Sequence, residues 1–157
     1  MIEIRSISCS YKTEYVLDNL SLDIEEGKPF FILGKNGCGK STLLKTLLRS
    51  LELKQGDIII DGESIKQMSV SKIAKLISYV PQLLNINIDY KVVDYLLFGL
   101  NGSFSAFSSP KEEEYNKIIS TADDYGLLHL LNCNFNELSG GEKQMIMTLR
   151  AIVQNTK

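Results

Sequence analysis

The stretch Pro29-Phe30-Phe31-Ile32-Leu33-Gly34-Lys35-Asn36-Gly37-Cys38-Gly39-Lys40-Ser41 decides how the rest of the chain reads. Its first five residues are a short continuous apolar run, the pattern of a strand buried on both faces. The remainder fits a phosphate-binding arrangement: a glycine, four residues, then Gly-Lys-Ser, set between a strand and a helix. Glycines let the backbone wrap a polyphosphate with its N–H groups turned inward, and the helix N-terminus adds partial positive charge. Lys40 is then placed to reach β- and γ-phosphates, and the Ser41 hydroxyl to ligate Mg2+. Asn36 and Cys38 occupy variable positions of the loop, and Cys38, near Lys40 and a helix start, is expected to be a reactive thiol. The helix follows over Ser41 to Leu51, with Leu43, Leu44, Leu47, Leu48 and Leu51 at helical spacing.

Upstream, Ile2, Ile4 and Ile7, then Val16, Leu17, Leu20, Leu22 and Ile24, alternate with polar residues as antiparallel strands of an N-terminal β-layer do. Downstream, Asp57 to Ile60 reads as a strand closed by the Asp61-Gly62 turn, and Ser71 to Leu76 as a helix. Ile77 to Val80 reads as a further strand stopped by Pro81. Beyond Gln82 the period becomes helical, over Val92 to Leu97, Lys111 to Tyr125, a short Leu127 to Leu131, and Gly141 to Gln154. Asn101 to Pro110, rich in Ser, Gly and Asn, reads as a loop. A sub-domain boundary is expected between Pro81 and Tyr90.

At 157 residues the chain has the length of one ordinary domain. Its 17 Lys+Arg against 19 Asp+Glu give a net charge of −2, which disfavours a partner made of nucleic-acid phosphates. No apolar run approaches the roughly 20 residues that cross a bilayer, and the N-terminus lacks the apolar region of a secretory signal. A cytosolic setting follows. Cys9, Cys38 and Cys133 lack zinc-type spacing and read as reduced thiols. His129, in an apolar stretch, reads as a partly buried, hydrogen-bonded histidine, leaving no histidine for catalysis.

The loop alone does not separate kinases, GTPases and motor or transporter ATPases, and the discriminating segment lies elsewhere. Leu138-Ser139-Gly140-Gly141-Glu142-Lys143-Gln144 sets Ser-Gly-Gly before a long helix, where Ser139 and the Gly140 and Gly141 amides offer another anion site. The alternative reading is a plain N-cap, with Ser139 as the cap and Glu142 completing a capping box.

Together the two motifs resemble those of the nucleotide-binding subunit of ATP-binding cassette transporters, with its LSGGQ-type signature, and the resemblance covers the whole chain. It implies an α/β fold: a P-loop NTPase core with an N-terminal antiparallel β-layer and a helical sub-domain, incomplete at the C-terminus. The implied division is 1–81 for β-layer and core, 82–140 for the Q-loop and helical sub-domain, and 141–157 for the signature helix. It implies ATP and Mg2+, with nucleotide contacts at Tyr11, which would stack on adenine, Val16, Gly34, Asn36, Gly37, Cys38, Gly39, Lys40, Ser41 and Thr42. Lys40 and Gln82 would be the catalytic groups, and Ser41 and Gln82 the metal contacts. Two subunits would pair head to tail, so that Ser139, Gly140, Gly141 and Glu142 serve a nucleotide on the partner. Transmembrane permease subunits would be the other partners, which places the protein in the cytoplasm, peripheral at the inner face of the membrane.

Tyr79-Val80-Pro81-Gln82 and Val92 to Gly99 are worded like importers of ferric siderophores, haem and cobalamin, so the implied function is ATP-driven import of such a solute. Alternatives are a cassette ATPase without a membrane partner and a nucleotide-binding fragment without turnover. In the family, a hydrophobic strand ending in Asp-Glu and then a switch histidine follow the signature helix. Here Ala151 to Lys157 ends where that strand is expected, so this chain reads as the N-terminal part of a longer ATPase, with little hydrolysis of its own. The absent strand would leave Phe30 to Leu33 as an uncovered apolar edge. Asp123 and Asp124 read as a solvated helix face, not as substitutes.

Overall fold

Alternation in the first residues builds a four-stranded antiparallel sheet in the order β2-β1-β3-β4. The computed structural model describes residues 1–82, 89–100 and 110–156, in two compact units, Met1–Ala74 and Lys75–Lys157. In the first unit, β1 (Ile2–Ser10) is central. It pairs with β2 (Tyr15–Ile24) on one side and β3 (Gln55–Ile60) on the other, and β4 (Glu63–Ser64) extends β3. Ile4 lies opposite both Leu22 and Ile58. Strict alternation would turn Ile4 and Ile7 to opposite faces. The register shifts between them, where Ser6 takes φ 47, and both are buried.

α1 (Lys40–Leu47) buries Leu43 and Leu47 one turn apart beside Thr42 and Thr46, and α2 (Val70–Leu76) buries Ile73. α1 stops short of the Leu51 expected from the leucine spacing. Leu48 caps it and Arg49 turns to φ 55, a left-handed conformation that a helix cannot continue through.

Two expected strands are absent among the described residues. Pro29 to Leu33 belongs to no ladder among the described residues, and with Phe31 78% and Leu33 90% exposed it is uncovered, as expected above for Phe30 to Leu33. A strand buried on both faces needs a hydrogen-bonded neighbour to satisfy its backbone, and among the described residues no strand runs beside this one. Ile77 to Val80 likewise carries no ladder pairing among the described residues, and Tyr79 is exposed.

The second unit is helical. α3 (Val92–Leu97), α4 (Glu112–Asp124) and α5 (Gly140–Gln154) close over one apolar cluster. α5 contributes Ile146, Leu149 and Val153 at helical spacing, α4 Ile118 and Ala122, and α3 Val92 and Leu96. Phe135, 1% exposed, fills the space beside Tyr95 at a ring separation of 4.6 Å. The connecting turns 128–130 and 135–137 are 3-10 helices. Backbone bonds from Val92 N to Cys133 O (3.0 Å) and from Phe135 N to Tyr90 O (2.9 Å) tie the start of α3 to this connection.

Glu112, Glu113 and Glu114 occupy the first turn of α4, where carboxylates complement the helix dipole. His129 is exposed, not partly buried as its apolar surroundings suggested: Leu128 is also exposed, and the short 3-10 turn buries Leu130 instead. Of the expected Asn101 to Pro110 loop, residues 101–109 lie outside those described. No helix among the described residues is long and apolar enough to cross a membrane.

Candidate nucleotide site

Gly34 to Ser41 forms a loop that runs into α1 without a side-chain cap. The N-cap is Gly39, at φ 99, so first-turn N–H groups of α1 face outward for an acceptor from elsewhere. Gly39 has a second reason to be glycine: a Cβ there would lie 2.6 Å from Leu17 Cδ2 and 3.2 Å from the Val16 carbonyl oxygen. Val16 and Leu17 thus meet the loop at the close approach that only glycine permits. At Gly34 an added Cβ would lie 2.6 Å from Cys38 Sγ, so the Cys38 side chain folds back over the loop's first residue.

Lys40 crosses the loop. Its ammonium donates to the carbonyls of Gly34 (2.8 Å) and Lys35 (2.7 Å), with Cys38 Sγ 3.8 Å away. Two of its three donors are thereby placed on the carbonyls of the loop's first two residues. Ser41 is exposed beside it, while Thr42 turns inward at 6% exposure. This arrangement can hold an anion of several oxygens: a positive side chain stands beside a helix start that carries no side-chain cap. A group of three acidic, His or Cys side chains able to hold a metal ion is absent among the described residues. A divalent ion at Ser41 would therefore be held largely by the oxygens of a bound polyphosphate, as suits Mg2+.

Tyr11, 54% exposed just after β1, lies against α1. Hydrogen bonding to Thr42, then to Lys45, with the Lys45 charge, holds its phenol below the usual range. The Lys45 ammonium stands 5.4 Å from the ring centroid. Lys45 is absent from the residues the motif pointed to. Its signal was its position three residues beyond Thr42, on the same helix face.

In the second unit Ser139 and Glu142 realise the capping box. The Ser139 hydroxyl and backbone N–H donate to Glu142 Oε2 at 2.6 and 2.8 Å, and Glu142 N donates to Ser139 Oγ at 3.4 Å. These bonds, that of the Ser139 side chain first, hold the Glu142 carboxyl below the usual carboxylate range. Gly140 and Gly141 are exposed, and a Cβ on either would meet nothing within 4 Å. The helix start is therefore capped by its own chain yet open to an approaching surface. Gln82 is exposed at a bend after Pro81.

Tyr11, Val16 and Gly34 to Thr42 thus come together within the first unit, and Ser139 to Glu142 within the second. A family model described as ABC transporter matches residues 17–157, which contain both motifs. The chain belongs to the ABC transporter family. It is 32% identical over 157 residues to a Helicobacter pylori protein named for iron chelatin transport and ATP binding, covering 99% of this chain and 62% of that one. It is 31% identical to the molybdate import ATP-binding protein MolC of Haemophilus influenzae, covering 99% of this chain and 57% of that one. A solved inward-facing ABC transporter assigned to the metal-chelate type superposes with a TM-score of 0.80 at 31% identity, covering 98% of this chain and 55% of that chain. The chain thus spans about three-fifths of the length of the curated relatives it matches.

Proposed function

We propose that this chain is the ATP-binding part of an ABC importer subunit, holding the β- and γ-phosphates of ATP between Lys40 and the α1 N-terminus. The observation that carries the reading is the Lys40 ammonium fixed across the loop by the Gly34 and Lys35 carbonyls, beside an uncapped helix start. Gly34, Asn36, Gly37, Cys38, Gly39 and Thr42 complete the cradle, with Tyr11 and Val16 toward the base. Mg2+, when bound, offsets phosphate charge and orients the reacting oxygens. Ser41 and Gln82 are its proposed contacts.

Ser139, Gly140, Gly141 and Glu142 are proposed to face the nucleotide of a second subunit in a head-to-tail dimer. The open space above both glycines supports this reading. The remaining proposed partners are transmembrane permease subunits, with the protein in the cytoplasm, peripheral at the membrane's inner face. The division into 1–81, 82–140 and 141–157 belongs to the same reading. For the solute, an iron chelate is proposed, supported by the relative named for iron chelatin transport and by the wording of Tyr79 to Gln82. A molybdate import protein is similarly related, and the choice of solute is proposed to lie with the other subunits.

A second reading is nucleotide binding without turnover. It is favoured by the exposure of Asp123 and Asp124 on α4, where neither is gathered into a site. Mg-ATP binding and phosphate release, measured on this chain and on Lys40→Ala, test both. Binding lost in the variant supports the first proposal, and release that depends on Lys40 overturns the second. Binding unchanged by Lys40→Ala refutes the cradle.

A further inference from the structure

Tyr11 leaves the sheet at the end of β1, and about half its surface stays open. An exposed aromatic on a connection has two free side-chain torsions, and a ligand that stacks on it must first order it. Here α1 does the ordering. Thr42 and Lys45 share one helix face, Thr42 is buried, and the Lys45 ammonium stands 5.4 Å from the ring centroid, within cation–π reach. Lys45 has no carboxylate partner among the described residues, so its ammonium is not drawn elsewhere.

We propose that Lys45 is a positioning residue for the base of the bound nucleotide: it holds the Tyr11 ring against α1, leaving a ring surface for a purine to stack on. This rests on the reading of Gly34 to Ser41 as the phosphate cradle and Tyr11 as the base platform. Lys45 then acts on the base through Tyr11 and not on the phosphates. That separates it from Lys40, whose ammonium sits in the loop. Because Lys45 is exposed, changing it leaves the core of the unit intact.

Titration calorimetry with Mg-ATP and with Mg-tripolyphosphate, which has no base, separates the two roles. Lys45→Met is expected to weaken Mg-ATP by about three- to tenfold, the worth of ordering one side chain and losing a cation–π contact. Tripolyphosphate binding should be unchanged. Lys45→Arg should keep ATP binding, and in a Tyr11→Ala background Lys45→Met should have no further effect. Equal weakening of both ligands, unchanged or tighter ATP binding, or the same loss without Tyr11 would each overturn the proposal.

A second readout needs no nucleotide. The ultraviolet titration of Tyr11, taken as this chain minus Tyr11→Phe, should move to higher pH in Lys45→Met. Lys45 and Cys9 are the titratable groups that face the phenol, and only Lys45 changes. No movement would mean that Lys45 does not hold the ring. Retention of both ligands by Lys40→Ala would instead refute the cradle reading on which the proposal stands.

Discussion

Gly39→Ala tests the loop's architecture directly, with Gly37→Ala as its control. Both glycines have positive φ, 99 and 82, so both alanines would adopt a left-handed conformation costing about 1–2 kcal/mol. The structure separates them by what the new methyl meets. At Gly37 nothing lies within 4 Å, whereas at Gly39 the Cβ would be 2.6 Å from Leu17 Cδ2 and 3.2 Å from Val16 O. Leu17 is 9% exposed, so its methyl cannot simply swing into solvent, and the Val16 oxygen is backbone. Overpacking of this kind adds about 1–3 kcal/mol. Urea unfolding of the two variants should therefore show Gly39→Ala less stable than Gly37→Ala by about 1–3 kcal/mol, at equal m-value. Equal losses would mean that the loop does not rest on Val16 and Leu17, and the close-approach argument would fail.

Ser139→Ala should lower unfolding stability by about 1 kcal/mol through loss of the α5 cap, seen as a lower urea midpoint. Glu142 contributes stability that is present above the unfolded carboxylate pKa and lost as pH falls through its lowered folded value. Glu142→Gln should accordingly flatten the acid limb of a stability-against-pH curve below about pH 4.5, and an unchanged limb would contradict the assigned hydrogen bonds. Gly99→Ala would set a Cβ 2.7 Å from Arg150 Cγ and 3.3 Å from the Arg150 carbonyl oxygen. Thermal unfolding should show a loss of about 1–3 kcal/mol, and a neutral result would mean that α5 does not press on the 3-10 turn Phe98–Leu100 that holds Gly99. Cys38 is exposed beside Lys40, so Mg-ATP should slow its alkylation and alkylation should weaken nucleotide binding. Identical labelling rates with and without Mg-ATP would refute its placement in the cradle.

The amino-acid sequence by itself determined the features whose causes are local. Gly34 to Ser41 must be a turn into a helix because of its glycines. Ser139 and Glu142 cap α5 as their three-residue spacing predicts, and α3 runs over Val92–Leu97 as its apolar period demands. Each rests on interactions within one or two turns of chain. The tertiary structure decided what depends on a neighbour distant in sequence. An apolar run such as Pro29 to Leu33 reads locally as a buried strand, and although the sequence also pointed to an uncovered edge there, its lack of any ladder follows from there being no strand beside it among the described residues. The bulge at Ser6 that buries both Ile4 and Ile7 arises from the shifted pairing of β1 with β2 and β3. The exposure of His129 was likewise set by how its turn packs. Lys45 carried no motif of its own. Its meeting with Tyr11 exists because the sheet returns one end of β1 to the flank of α1, a contact that helical or strand periodicity has no means to encode.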